Sequence, residues 1–516
     1  MPEIKSGFSS YLGWLLCCSP VSIRLDVEAS DAQSEITLVT RTKSLASHHD
    51  GNGKPGMRGR ADTMRQPLLT RQMDCAPTIN TDVPLPDLPH TVQQIIIQNV
   101  PRTTRYKAGG ELALVNKRWN QEVRADMRSI TIKDPQGLAK LGDYPKVTHL
   151  QLSGEFRDEH LANLPQNLLG LDLSQCKGIT LAGLKPIADL RHLLSLNLSR
   201  PRDASAVEIK GCVAMFAQHP TLTEVHLNGC GVDDNEVQAL TANPRIKTLT
   251  LDRNEKITIV GLQALVGCST LETLGLAWIR VIASHVELLA QHATLKKLDL
   301  TGIQIQVAGA AALSQMKTLT ELNVSYGKLS DDSIAQLAHS GSLQRLTAGH
   351  NELTGRCCLA LAENTSLVSL DLSSSHLHGE FVEHLAKMAN LHTLNISDNY
   401  VGDNGAIALA GAKSLRVLFL VDSRVRNEGV KALAKSRSLE TLYLANNPFT
   451  EQGLRALIDS PSIKRLGLYG MKMGRPTLGA FLESRTLQHL DVRQCGFHGP
   501  EFKQAIENSR IAEILT

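Results

Sequence analysis

Opening leucines recur at a fixed interval of 24 residues, from Leu271 through Leu295, Leu319, Leu343, Leu367, Leu391, Leu415 and Leu439 to Ile463 and Leu487. Each opens the same short pattern, as in Leu391-x-x-Leu394-x-Ile396, whose alternating apolar positions read as a strand. A turn at Asn399 and Gly402 follows. The small-residue run Gly405-Ala406-Ile407-Ala408-Leu409-Ala410 then reads as a helix. A strand-turn-helix unit of this size cannot bury its apolar face alone. It must stack on its own copies, which predicts an α/β leucine-rich-repeat solenoid. The strand window can be traced sixteen times, from Met127-x-x-Ile130-x-Ile132 onward, with a truncated Ile511-x-x-Ile514 at the end. Irregular spacing among the early windows implies insertions, mostly on the helix side, such as Pro201 to Lys210.

In such a stack the apolar strand positions point inward and parallel neighbours lie about 4.8 Å apart. Helices need more room than strands, so the sheet is expected to curve with its strands on the concave face. Gly405 and its counterparts Gly261, Gly309, Gly429 and Gly453 are expected to let the helix lie close to the sheet. Asn254, Asn351, Asn399 and Asn447 hold the turn position, where an inward amide can bond open loop backbone. Cys or Ser stands there in other repeats, and Met471 breaks the series.

Composition narrows the function. Aromatics make up only 4% of the chain, which fits interiors filled by leucine and alanine. A net charge of +3 gives no sign of the concentrated basic surface that phosphate recognition needs, so nucleic acid is not an expected partner. The ten cysteines follow no framework spacing: Cys176, Cys230 and Cys495 fall at equivalent places in separate repeats. That argues against a disulfide set and for a reducing compartment. No run approaches the roughly 18 apolar residues of a membrane helix, so stable membrane insertion is not expected. Tyr11 to Cys18 lacks the features of a secretory signal. Cys17 and Cys18 beside Trp14 could accept acyl chains, or could form a small apolar patch with ordinary thiols.

Three regions follow. Residues 1–80 are rich in Ser, Thr, Gly and Arg with little periodicity and read as disordered. Residues 81–126 hold two short helical patterns, and residues 127–516 are the solenoid. In the middle region Leu88-Pro89 opens a helix whose Val92, Ile96 and Val100 share a face before Pro101 ends it. Leu112, Val115 and Trp119 form a second stripe at helical spacing.

This segment resembles an F-box: Leu-Pro, an apolar helix closing on Val-Pro, then Leu112-x-x-Val115-x-Lys117-x-Trp119. It departs from the pattern at Thr91, where Glu is common, and in the length of the Tyr106 to Gly110 gap. The resemblance implies that Leu88, Pro89, Val92, Ile96, Val100, Pro101, Leu112, Val115 and Trp119 dock a host Skp-type adaptor and, through it, a cullin. The alternative is a helical cap on the first repeat. An F-box leading into 24-residue repeats with Gly-Ala-x-Ala-Leu-Ala helices is similar to the GALA family of type III effectors of plant-pathogenic bacteria, over roughly residues 85–516. Membership implies an export signal in the first 80 residues and action in the host cytoplasm or nucleus. It also implies a role as F-box substrate receptor of an SCF-type ubiquitin ligase, with an unidentified host protein as target. A ubiquitin-independent scaffold or stoichiometric inhibitor is the second reading.

No phosphate-cradling loop, nucleophile elbow or metal-ligand set stands out, so no catalytic residue, metal or cofactor is expected. His376 and His378 share a turn with no further ligand pattern and read as surface residues. Cys357 and Cys358 read as packing at a helix start, and an enzyme using either is the third reading. Strand positions alternating with the core face the concave side. They place Asp299, Asn323, Asp371, Asn395, Phe419 and Tyr443 there, with Arg345 and Arg465 one pleat away. Trp278, Tyr326 and Tyr469 emerge just after their strands. Together these form the candidate surface for a protein target, with Phe419 and Tyr443 at the same position of adjacent repeats.

Overall fold

A computed structural model describes residues 26–27, 128–200, 213–497 and 499–515. The F-box-like positions from Leu88 to Trp119, the N-terminal segment with Cys17 and Cys18, and Pro201 to Lys210 lie outside the described residues. The chain divides into two compact units. The one formed by 26–35, 128–141 and 147–516 holds the repeats.

Every strand window forms a strand, from Ser129–Ile132 to His489–Asp491, and the truncated window forms Glu513–Leu515. From Ser129–Ile132 onward each strand pairs in parallel with the next in sequence, so the sheet is one open ladder, and Asp26–Val27 pairs with its first strand. The register is unbroken through the regular repeats: Leu370 meets Leu394, Leu394 meets Leu418, and Leu418 meets Leu442. Leu391, Leu394 and Ile396 are all buried, as are their counterparts along the chain. Each leucine thereby packs on its own copy above and below, which is what a strict sequence period demands. A helix follows nearly every strand and forms a second layer, with Ala406 and Leu409 of Gly402–Ala410 fully buried. Helices this short are marginal alone and are held by packing on their neighbours.

The buried turn asparagines close the backbone between repeats. The Asn399 carbonyl oxygen accepts the N–H groups of Ser375 and Leu377 at 3.1 and 2.8 Å, and its amide donates to the carbonyls of Leu372 and Ile396. Asn351 and Asn447 make the same set. Where Cys176 stands, its thiol donates only to the Leu152 carbonyl.

The helix at Gly405 begins earlier than its apolar pattern suggests, at Gly402, because its first turn is polar and carries no period signal. Two of the counterpart glycines also have a different immediate neighbour from the one expected. A Cβ on Gly261 or Gly429 would meet not the sheet but a carboxylate of the preceding repeat, Asp234 or Asp403. That carboxylate caps the helix. Asp403 accepts the N–H groups of Arg426 and Gly429 at 2.8 and 2.9 Å, and Asp234 accepts those of Thr258 and Gly261. Asp331 serves Thr354, Gly355 and Cys357 in the same way. These three helix starts thus satisfy unpaired donors with an acidic residue borrowed from the repeat before.

Candidate partner-binding surfaces

The strand face, opposite the helices, changes character along the solenoid. Over its middle strands it is charged and self-paired. Glu321 lies between Lys297 and Arg345 on the flanking strands, 3.1 Å from each. Asn323 donates to Asp299 at 3.3 Å and Asn395 to Asp371 at 2.9 Å. Asp371 also accepts the backbone N–H and hydroxyl of Ser373, and is only 8% exposed. These carboxylates spend their acceptor capacity on neighbours.

Further along, the face turns aromatic. Phe419 and Tyr443 are paired in register, and their rings stack at 4.9 Å with planes 8° apart. The Tyr443 ring continues over Gly467, occupying the space a Cβ there would need. Burial pushes the Tyr443 phenol up to about 12, helped by Asp491, so it stays neutral. Val417 and Val421 flank Phe419, both half-buried. Tyr469, two residues past Gly467, is exposed, with the Arg493 guanidinium 5.8 Å from its ring. Arg465 is exposed on the neighbouring strand.

Trp278 and Tyr326 belong to a different row. They sit three residues past their strands, where the backbone is left-handed, with φ of 59° and 57°. Every repeat from Gly229 to Gln494 has positive φ at this place, including Gly302, His350, Asp398 and Asp422. The reason is a further rung of the ladder: the N–H of Trp278 bonds to Thr301, that of Tyr326 to Gly349, and that of His350 to Ser373. Left-handed geometry costs a side-chain-bearing residue about 1–2 kcal/mol, which glycine avoids. Trp278 and Tyr326 accept it and remain 39% and 38% exposed. The Trp278 ring leans over Gly302 to reach Tyr326, centroids 5.7 Å apart, and Tyr326 stacks on His350 at 4.1 Å.

Sequence reasoning missed His350 and Gly302, because neither is apolar or periodic in type. The signal was present in position alone, since both stand at the register of Trp278 and Tyr326. It also missed a hollow lined by Ser374, His376, Asp398, Tyr400, Asp422 and Arg424. There the Arg424 guanidinium lies over the Tyr400 ring at 4.2 Å, and burial with the nearby Asp422 raises the pKa of Asp398.

Cys357 and Cys358 are buried in the helix Cys357–Ala362. The bond to Cys358 and burial push the Cys357 thiol far above its usual range. No helix among the described residues is long and apolar enough to cross a membrane.

The repeats are leucine-rich repeats: the family described as Leucine Rich repeat matches residues 218–240, 315–338 and 387–410. No curated protein matches the sequence. Among solved structures the chain is similar to the internalin inlF of Listeria monocytogenes, at 17% identity over 67% of this chain and 88% of that one, with a TM-score of 0.36. It is similar to a chain of the yeast Rad7 and Elc1 complex, at 18% identity over 77% and 97%, with a TM-score of 0.41. A chain of the TLR13–ssRNA13 complex shares 19% identity over 72% and 61%, with a TM-score of 0.46.

Proposed function

We propose that this chain is the substrate receptor of a host ubiquitin ligase, delivered as a type III effector by a plant-pathogenic bacterium. In this reading the F-box-like segment binds a Skp-type adaptor and, through it, a cullin, while the strand face holds a host protein. The chain performs no chemistry. It brings target lysines near a ubiquitin-loaded enzyme, and its contribution is proximity.

The stacked Phe419 and Tyr443 carry the target half of the proposal. Flat aromatic surface flanked by apolar strand residues is what anchors protein partners, and the charged strands before it have already spent their groups on each other. A buried thiol held protonated is a poor nucleophile, which speaks against catalysis at Cys357. The adaptor half rests on the motif from Leu88 to Trp119.

The test uses the full chain with a purified plant Skp adaptor and plant extract. Leu88→Ala/Pro89→Ala is expected to lose the adaptor and keep the target; Phe419→Ser/Tyr443→Ser is expected to do the reverse. Absence of adaptor binding by the unaltered chain overturns the ligase reading and leaves a ubiquitin-independent scaffold or inhibitor.

A further inference from the structure

We propose that the left-handed row at the ends of the strands is a second recognition surface. It takes an extended segment of a partner protein bearing an apolar or proline residue and, four or five residues away, a lysine or arginine. The inference rests on the interaction-scaffold reading above and not on its ubiquitin half.

Two observations in one row carry it. The first is the aromatic shelf. Trp278, Tyr326 and His350 make one continuous ring surface across Gly302, built on backbone positions better suited to glycine. Rings kept exposed at strained positions gain little from folding, and such outliers gather where a ligand is clamped. Burial holds the His350 pKa below its ordinary value, so the shelf carries no charge there at neutral pH.

The second is an acidic pair further along the same row. Asp398 and Asp422 stand in adjacent repeats. Among the described residues neither is engaged by an ion pair: Asp398 takes the Ser374 hydroxyl and Asp422 the Asn446 amide. Arg424 lines the same hollow, but its guanidinium lies over the Tyr400 ring. Two carboxylates side by side, neither of them ion-paired, are complementary to a cationic side chain from outside.

The row also fixes a distance. Its rungs remain hydrogen-bonded from repeat to repeat, as His350 to Ser373 and Ser374 to Ser397. The step is therefore that of the sheet, and three repeats separate Tyr326 from Asp398 by about 14 Å. An extended chain advances about 3.3 Å per residue and spans that gap in four to five residues.

The experiment pans a phage-displayed library of random dodecapeptides against the full chain and titrates the enriched peptides by fluorescence anisotropy. The variants are Trp278→Gly/Tyr326→Gly, whose glycines suit the backbone, Asp398→Asn/Asp422→Asn, and the strand-face pair Phe419→Ser/Tyr443→Ser. The expected peptides pair an apolar or proline residue with Lys or Arg at the stated spacing. Their affinity is expected to fall at least tenfold on the glycine variant and to lose its salt dependence on the asparagine variant. It should stay within twofold on the strand-face variant. Absence of enriched peptides, peptides lacking a basic residue, or peptides indifferent to both row variants overturns the inference. Binding lost only on the strand-face variant overturns it while leaving the proposed function standing.

Discussion

The carboxylate of Asp234 reaches across to the helix of the following repeat and accepts the backbone N–H of Gly261 at 3.0 Å. A side chain on that glycine would occupy the place of the carboxylate. In an ordinary helix Gly→Ala stabilises by up to about 1 kcal/mol. Here Gly261→Ala should instead destabilise, and Asp234→Ala should cost about 0.5–2 kcal/mol as a lost cap. The two effects share one contact, so the Gly261→Ala penalty should shrink once Asp234 is already alanine. A double-mutant cycle by urea unfolding reads the coupling, and simple additivity would refute it.

Asn399 joins two repeats through five backbone groups, all in buried bonds. Asn399→Leu would take this partner from the N–H groups of Ser375 and Leu377 and from the Leu372 carbonyl, at about 1–3 kcal/mol for each that finds no water, while the Ile396 carbonyl keeps the Ser423 hydroxyl. Asn399→Ser should cost less, because serine already stands at the equivalent Ser375 and Ser423. Equal unfolding midpoints for the two variants would show that the amide does not fasten the turn.

Acid should weaken the protein in two stages. Burial lowers the pKa of His219 and His292, whose Nδ1 atoms accept the N–H groups of Thr221 and Thr294. A histidine depressed in the folded state contributes stability that is present above its unfolded value, about 6.5, and is lost as pH falls below it. Burial raises the pKa of Asp331, but the bonds from Thr354 and Cys357 outweigh it and hold the carboxyl below its usual range. Its contribution is present above about pH 4 and lost as pH falls through the depressed value. His219→Asn/His292→Asn should shrink the first stage and leave the second unchanged, since Asn243 and Asn364 already fill the same place, while His226 and His350, also depressed by burial, keep the remainder of the first stage. Tm measured against pH checks this.

Asp252 should act in the opposite sense. Burial, with a smaller push from Asp299, raises its pKa to about 6 despite the N–H of Ala277. A carboxyl raised on folding contributes stability present below its unfolded value and lost as pH rises through about 6. Asp252→Asn keeps an acceptor for Ala277 and removes the charge. Its urea midpoint should rise at pH 7.5 and show no gain at pH 4.5. A loss at pH 7.5 would mean the charge has a favourable partner.

Leucine spacing made the ladder legible: each window from Met127 to Leu487 opens a strand, and the central leucines meet in register. Alternation placed Phe419 and Tyr443 side by side for the same reason, because a strict period brings equal positions together. What the pattern could not reveal depends on a polar atom reaching the next repeat. The Asp403 cap of Gly429 is one case, since an acidic residue in a first helical turn has many possible partners. The ring path from Trp278 over Gly302 to Tyr326 is another, because the residue that permits it is an absent side chain.

Aromatic, acidic, amide, hydroxyl and bare glycine positions all occur in the left-handed row of this one chain. The conformation is enforced by a main-chain bond, as Trp278 to Thr301, and not by the identity of the residue. Sequence drift along that row can therefore alter what the molecule recognises one substitution at a time, while the leucines beneath remain under unchanged constraint. A lineage carrying such a protein could follow a changing partner without crossing a valley of misfolded intermediates.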